Sequence, residues 1–126
     1  MTSLLPEVFS QVEESLQFRV ARQRVLASNL ANVDTPGFRR AELHFDAALE
    51  RAELQLSGTR PAHRTLRAGE PHWRVERQGP ATGPDGNGVD FDQETLQMSR
   101  NAGAFNRNAE ILSRLLSMTR VAITGE

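Results

Sequence analysis

The sequence predicts a mainly α protein, in which long N- and C-terminal helices pair as a coiled-coil hairpin around an irregular middle with room for a short helix and a little β. Three observations predict it. Apolar residues recur at helical spacing near each end of the chain, and between the two seams prolines and glycines arrive every few residues. The 126 residues are one domain's worth of material. We expect a single structural unit with an N-terminal helix in residues 1–33, a turn motif and irregular segment in 34–88, and a C-terminal helix in 89–126.

The first helix is expected from about Pro6 to Asn32. Pro6 suits a first-turn position. Glu7, Glu13 and Glu14 lie toward the start and Arg19, Arg22 and Arg24 toward the end, an order that complements the helix dipole. Its seam runs through Phe9, Val12, Leu16, Leu26, Leu30 and Val33 in steps of three and four, interrupted by Arg19 and Gln23. So narrow a stripe forms no core alone and requires a partner helix.

Val33-Asp34-Thr35-Pro36-Gly37 then breaks the helix, with Pro36 and Gly37 suited to the central positions of a type II turn. The middle admits a short helix from Asp46 to about Gln55 and a strand over His72–Glu76, with Trp73 and Val75 on one face. Asp90 or Asp92 can cap the last helix, Asp90 and Gln93 having capping-box spacing. Its stripe is Leu96, Met98, Ala102, Phe105, Ala109, Leu112, Leu116 and, one turn further, Val121 and Ile123, with a dominant seven-residue step through Met98, Phe105 and Leu112. A helix of about 25 residues is roughly 38 Å long, so the subunit is expected to be rod-like.

Composition narrows the function. The net charge of −1 offers no global field for nucleic acid or anionic lipid. All fifteen basic residues are arginines, which removes lysine nucleophiles and phosphate-loop lysines; the absence of cysteine removes thiolate chemistry and Cys-ligated zinc. No apolar run approaches the roughly 20 residues that span a bilayer. Met1 to Glu7 lacks a basic and an apolar region, so no Sec-type leader is expected there.

No constellation promises catalysis. From Asp85 onward oxygen ligands alternate as in a calcium loop, yet Val89, Asp90 and Leu96 stand where a ligand, glycine and glutamate belong. His44, His63 and His72 form no pair at helical metal spacing, and solvated loop histidines are the simpler reading. Arg60 to Arg77 holds five arginines around Trp73, a patch able to grip phosphate and stack a base, but no recognition fold accompanies it. We therefore expect no catalytic residue, metal, cofactor or small-molecule substrate.

The most specific segment is Leu26-Ala27-Ser28-Asn29-Leu30-Ala31-Asn32-Val33-Asp34-Thr35-Pro36-Gly37-Phe38. Asn29 and Asn32 sit one turn apart beside the seam, able to bond backbone or neighbouring subunits; the turn then leads the chain away, and Phe38 can fold back as an anchor. This segment resembles the N-terminal signature of the bacterial flagellar axial proteins, the family of rod, hook and hook-associated subunits. The chain length, the Asp85–Asp92 lead-in and Leu112-Ser113-Arg114-Leu115-Leu116-Ser117-Met118 look most like the short rod proteins of FlgB type, with FlgC type the nearest competitor.

The resemblance implies a non-enzymatic subunit of the proximal rod, exported unfolded by the type III apparatus from the cytoplasm to the periplasmic part of the basal body. Implied partners are other copies, other rod subunits, the basal-body adaptor, and the membrane ring and export apparatus, with no nucleic acid. It also implies terminal helices that order on assembly. Implied subunit contacts are Asn29, Asn32, Asp34, Thr35, Pro36, Gly37 and Phe38, and the helix-pairing stripe is Phe9, Val12, Leu16, Leu26, Leu30, Met98, Phe105, Leu112 and Leu116. Two other classes stay open: a cytoplasmic helical-hairpin adaptor using the same stripes, and a small nucleic-acid binder using Arg60 to Arg77.

Overall fold

A computed structural model describes residues 4–45, 73–79 and 88–125. Helix α1 spans Leu4–Ala31 and helix α2 spans Phe91–Thr124. Between them, strand β1 (Ala41–Phe45) pairs antiparallel with strand β2 (Trp73–Arg77), Leu43 opposite Val75. The protein is mainly helical with a little β, as its sequence predicts. The short helix expected from Asp46 lies outside the described residues.

The two helices form an antiparallel hairpin. Asn29 bonds to Glu94, Arg22 to Gln97, Asn101 to Gln23 and Asn108 to Ser15, so residue numbers fall on one helix as they rise on the other. At 1.5 Å per residue α1 is about 42 Å long and α2 about 51 Å. Helix α2 is therefore the longer of the two by six residues.

Local chemistry sets the ends of these elements. Asp90 is extended and accepts a bond from the Gln93 backbone N–H, 3.0 Å, closing an orphan donor of the first turn. Asp92 and Glu94 add negative charge at the same end. At the far end Gly125 adopts φ +75° and donates to the Val121 carbonyl at 2.8 Å. Helix α1 unwinds through tight turns: the Val33 N–H reaches the Leu30 carbonyl, Thr35 reaches Asn32, and Phe38 reaches Thr35. Gly37 has φ +72°, the value required of the third residue of a type II turn and strained for a side chain.

The core is small and runs from the base of the hairpin to its middle. Phe18, Leu26, Ala41, Leu43, Val89 and Ala104 are its buried apolar residues. An aromatic cluster ties the sheet to α1: Phe18 stacks on Phe45 at 4.3 Å between centroids and meets Trp73 edge-on at 5.9 Å. Phe45 and Trp73 are cross-strand partners at 6.5 Å. Such ring pairs contribute about 0.5–1.5 kcal/mol each beyond their buried area. Trp73 is thereby engaged within the fold.

The Asp90 cap carries a direct expectation. Asp90→Ala should lower the unfolding free energy by about 1 kcal/mol, while Asp90→Asn keeps the cap oxygen and most of the stability. Urea denaturation of the two variants alongside the parent checks it.

Candidate functional site

The helix seam is not the apolar stripe that spacing alone selects. Met98, Phe105 and Leu112 are half-buried toward α1, but the companion line is Glu94, Asn101, Asn108 and Leu115, also seven apart. Together these make an unbroken alternation of threes and fours in which one line is mostly polar. Leu96, Ala102, Leu116, Val121 and Ile123 fall outside it and are exposed.

Each polar residue of that line finds a partner on α1. The Asn108 side-chain amide donates to Ser15 Oγ at 2.6 Å. Asn101 donates to the Arg19 carbonyl and to Gln23 Oε1, both at 2.8 Å. These bonds occupy the stretch where Arg19 and Gln23 interrupt the α1 stripe. Of the remaining stripe residues, Leu26 is buried, and Phe9, Val12, Leu16 and Leu30 are half-buried.

At the base of the hairpin the polar contacts merge into one buried cluster. Asn29 is fully buried. Its amide nitrogen donates to the Ala41 carbonyl at 2.7 Å and to Glu94 Oε2 at 3.2 Å, while its oxygen accepts from the Ala41 N–H at 2.9 Å. The register explains why this side chain is required. Gln78 donates to the Arg40 carbonyl, so by the alternation of an antiparallel ladder both polar groups of Ala41 point away from β2. Asn29 acts there as a third strand would, closing both groups from a helix.

Glu94 is likewise fully buried, and Arg40 is 7% exposed. Arg40 Nε donates to Glu94 Oε1, and its Nη1 donates to Glu42 Oε2 at 2.8 Å. Burial by itself lowers the Arg40 guanidinium, but its bonds to Glu42 and Glu94 outweigh that and hold it above its ordinary value. The bond from Arg40 depresses the Glu42 carboxyl against the opposing pull of burial, with the charges of Arg40, His44 and Arg22 adding to it. Glu94 thus joins α2 to Asn29 on α1 and to Arg40 at the entry of β1.

The rest of the motif lies at the surface. Asn32 caps the helix end, donating to the Ser28 carbonyl at 2.8 Å and accepting from Thr35 Oγ1 at 3.2 Å. Asp34, Thr35, Pro36 and Gly37 are exposed, and Phe38 is half-buried. Asn29 is set apart from them by its full burial. Among the described residues no group of three or more His, Cys, Asp or Glu is placed to hold a metal ion, and no helix is long and apolar enough to cross a membrane.

Comparison with known proteins gives this geometry a family. The family model described as flagella basal body rod protein matches residues 16–39, from the middle of α1 through Asn29 to the turn. The flagellar basal body rod protein FlgB of Aeromonas hydrophila is 35% identical, covering 95% of each chain. The FlgB chains of Proteus mirabilis strain HI4320 and Escherichia coli K12 are each 31% identical, over 99% and 90% of this chain and 100% and 91% of their own. The chain belongs to the FlgB family of flagellar basal body rod proteins. It is a structural rod subunit of the basal body, and the FlgC alternative is not favoured. In this FlgB-family chain the matched segment stops at Arg39, so Arg40 and Glu94, which complete the cluster around Asn29, lie outside it.

Apolar spacing alone does not select Arg40, Glu94, Asn101 and Asn108. A signal was present, since Glu94, Asn101 and Asn108 keep the seven-residue step of Met98, Phe105 and Leu112.

Two expectations follow from the buried cluster. Glu94→Ala leaves Arg40 buried opposite an empty site and should cost about 3–5 kcal/mol in urea denaturation. The depressed Glu42 carboxyl stabilises the fold fully above its unfolded value near 4.5 and loses that contribution as pH falls through its lower folded value. Stability measured from pH 7 to pH 3 should therefore decline at the acid end, and Glu42→Gln should remove that part of the decline.

Proposed function

We propose that this FlgB-family chain serves in the proximal rod, exported by the flagellar type III apparatus and built into the axis by packing its hairpin against neighbouring axial subunits. In this reading residues 1–33, 34–88 and 89–126 act as one structural unit with no enzymatic role. The partners are other copies, other rod subunits, the basal-body adaptor, and the membrane ring with its export apparatus.

The observation that carries the reading is the uneven burial along the hairpin. Away from the base, Leu5, Val8, Ile111, Leu116, Met118, Val121 and Ile123 are all exposed, Met118 by 68% and Ile123 by 79%. Covering one such side chain is worth about 1.5–3 kcal/mol. Phe91 and Leu96 are exposed nearer the base as well, and exposed apolar residues in such number favour burial against another protein. The exposed Asp34–Gly37 turn at the opposite end supplies a second region for contact.

Two kinds of variant test the reading. Leu30→Asp and Leu112→Asp place a charge in the seam and should abolish both incorporation into hook–basal bodies and motility while synthesis continues. Met118→Asp and Val121→Asp alter only exposed positions; they should leave the hairpin's helicity intact yet reduce incorporation, measured by mass spectrometry of purified hook–basal bodies. Wild-type incorporation and motility in all of these variants would overturn the proposal.

A further inference from the structure

Midway along the hairpin the charge is one-sided. Residues 15–24 of α1 and 97–109 of α2 contain five arginines and no carboxylate. Arg19, Arg22, Arg100 and Arg107 line an open groove of about 570 Å³ between the helices, together with Asn101 and Gly103. Arg22 has a carboxylate within reach, Glu42 at 3.8 Å. Among the described residues no ion pair is made by Arg19, Arg100 or Arg107.

Beneath the groove lie buried polar atoms that the fold leaves unsatisfied. Arg19 Nε and Arg22 Nε are buried without a hydrogen-bond partner, and so is the side-chain oxygen of Asn101, a residue only 3% exposed. Burial, then the neighbouring charges of Arg22 and Arg107, push the Arg19 guanidinium below its ordinary value. Buried donors and acceptors without partners are costly, and like charges held together add to that cost. Carboxylates brought to the exposed guanidinium forks of Arg100 and Arg107 offset that repulsion.

We propose that this groove is the acceptor site for an acidic, carboxylate-bearing segment of a neighbouring axial subunit. The inference rests on the assembly reading above and locates one of its contacts. Charge complementarity selects the partner's chemistry, and the groove lies on the same hairpin whose exposed end that reading packs against other subunits. The arginines orient the incoming segment, since each planar fork accepts a carboxylate in a defined plane. The apolar end of the hairpin supplies the buried area.

The test is photo-crosslinking in assembled basal bodies. A benzophenone side chain is introduced at Ser99, which lines the groove, and separately at Met118 on the apolar end. Adducts are identified by peptide sequencing. Ser99 should capture an Asp- or Glu-bearing peptide of an axial subunit. In the Arg100→Glu/Arg107→Glu background that adduct should fall by at least about tenfold, with the Met118 adduct retained.

Adducts from Met118 with none from Ser99 would overturn the acceptor site while leaving the assembly reading standing. So would capture of a peptide without carboxylates, capture of residues 46–72 of the same chain, or a Ser99 adduct unchanged by charge reversal. Absence of adducts from both positions would overturn the assembly reading and this inference with it.

Discussion

The two polar groups of Ala41 that face away from β2 form the constraint on which the base of this structure depends. A two-stranded sheet is marginal alone, and an unpaired backbone donor and acceptor at its buried edge weaken it further. Asn29 closes both groups with one side chain and spends its remaining donor on Glu94. That choice places a carboxylate in the core, and the carboxylate in turn requires Arg40. Four groups from three segments of the chain therefore stand or fall together. Substituting one strands the others in a site that water does not reach.

The same logic extends up the hairpin. A seam of Leu and Met would give more stability per residue than one that alternates with Asn and Ser. Apolar seams, however, slide, because one leucine resembles the next. Polar residues at core positions fix register, because their hydrogen bonds are met at one height. Here Ser15 with Asn108, Gln23 with Asn101 and Asn29 with Glu94 form three such pairs. The narrow stripe on each helix is then a consequence of the design: the hairpin gives up burial to gain alignment.

This division explains what was legible in the sequence. The turn after the first helix and the start of the last are readable because breakers and caps act locally: Gly37 and Asp90 do their work within four residues. The apolar half of the seam was readable through the step from Met98 to Phe105 to Leu112. Spacing selects Leu116 as the next member, but Leu115 takes the inward position, because the seam advances by three there after the four from Asn108 to Leu112. Strand β1 escaped because Ala41-Glu42-Leu43-His44-Phe45 is ordinary until Trp73 and Phe18 supply its partners. Phe18 lies beside the stripe, and its burial follows from the sheet that docks on it. Arg40 and Glu94 were invisible for the deeper reason that a charged pair is recognised as buried only once the distant segments meet.

Register matters more to a subunit of an axial structure than to an isolated domain. A slip of one heptad along the seam displaces one helix against the other by about 10.5 Å. In a free protein such a slip costs some packing. In an array, it would move the apolar end, the arginine groove and the exposed turn relative to one another, and every contact made by the next subunit would inherit the error. The three surfaces lie on different parts of the hairpin, so their mutual spacing is set by the seam alone. A polar seam anchored at one end by Asn29, Arg40 and Glu94 gives each subunit the same ruler, and a heterologous assembly that does not close on itself needs that ruler to repeat.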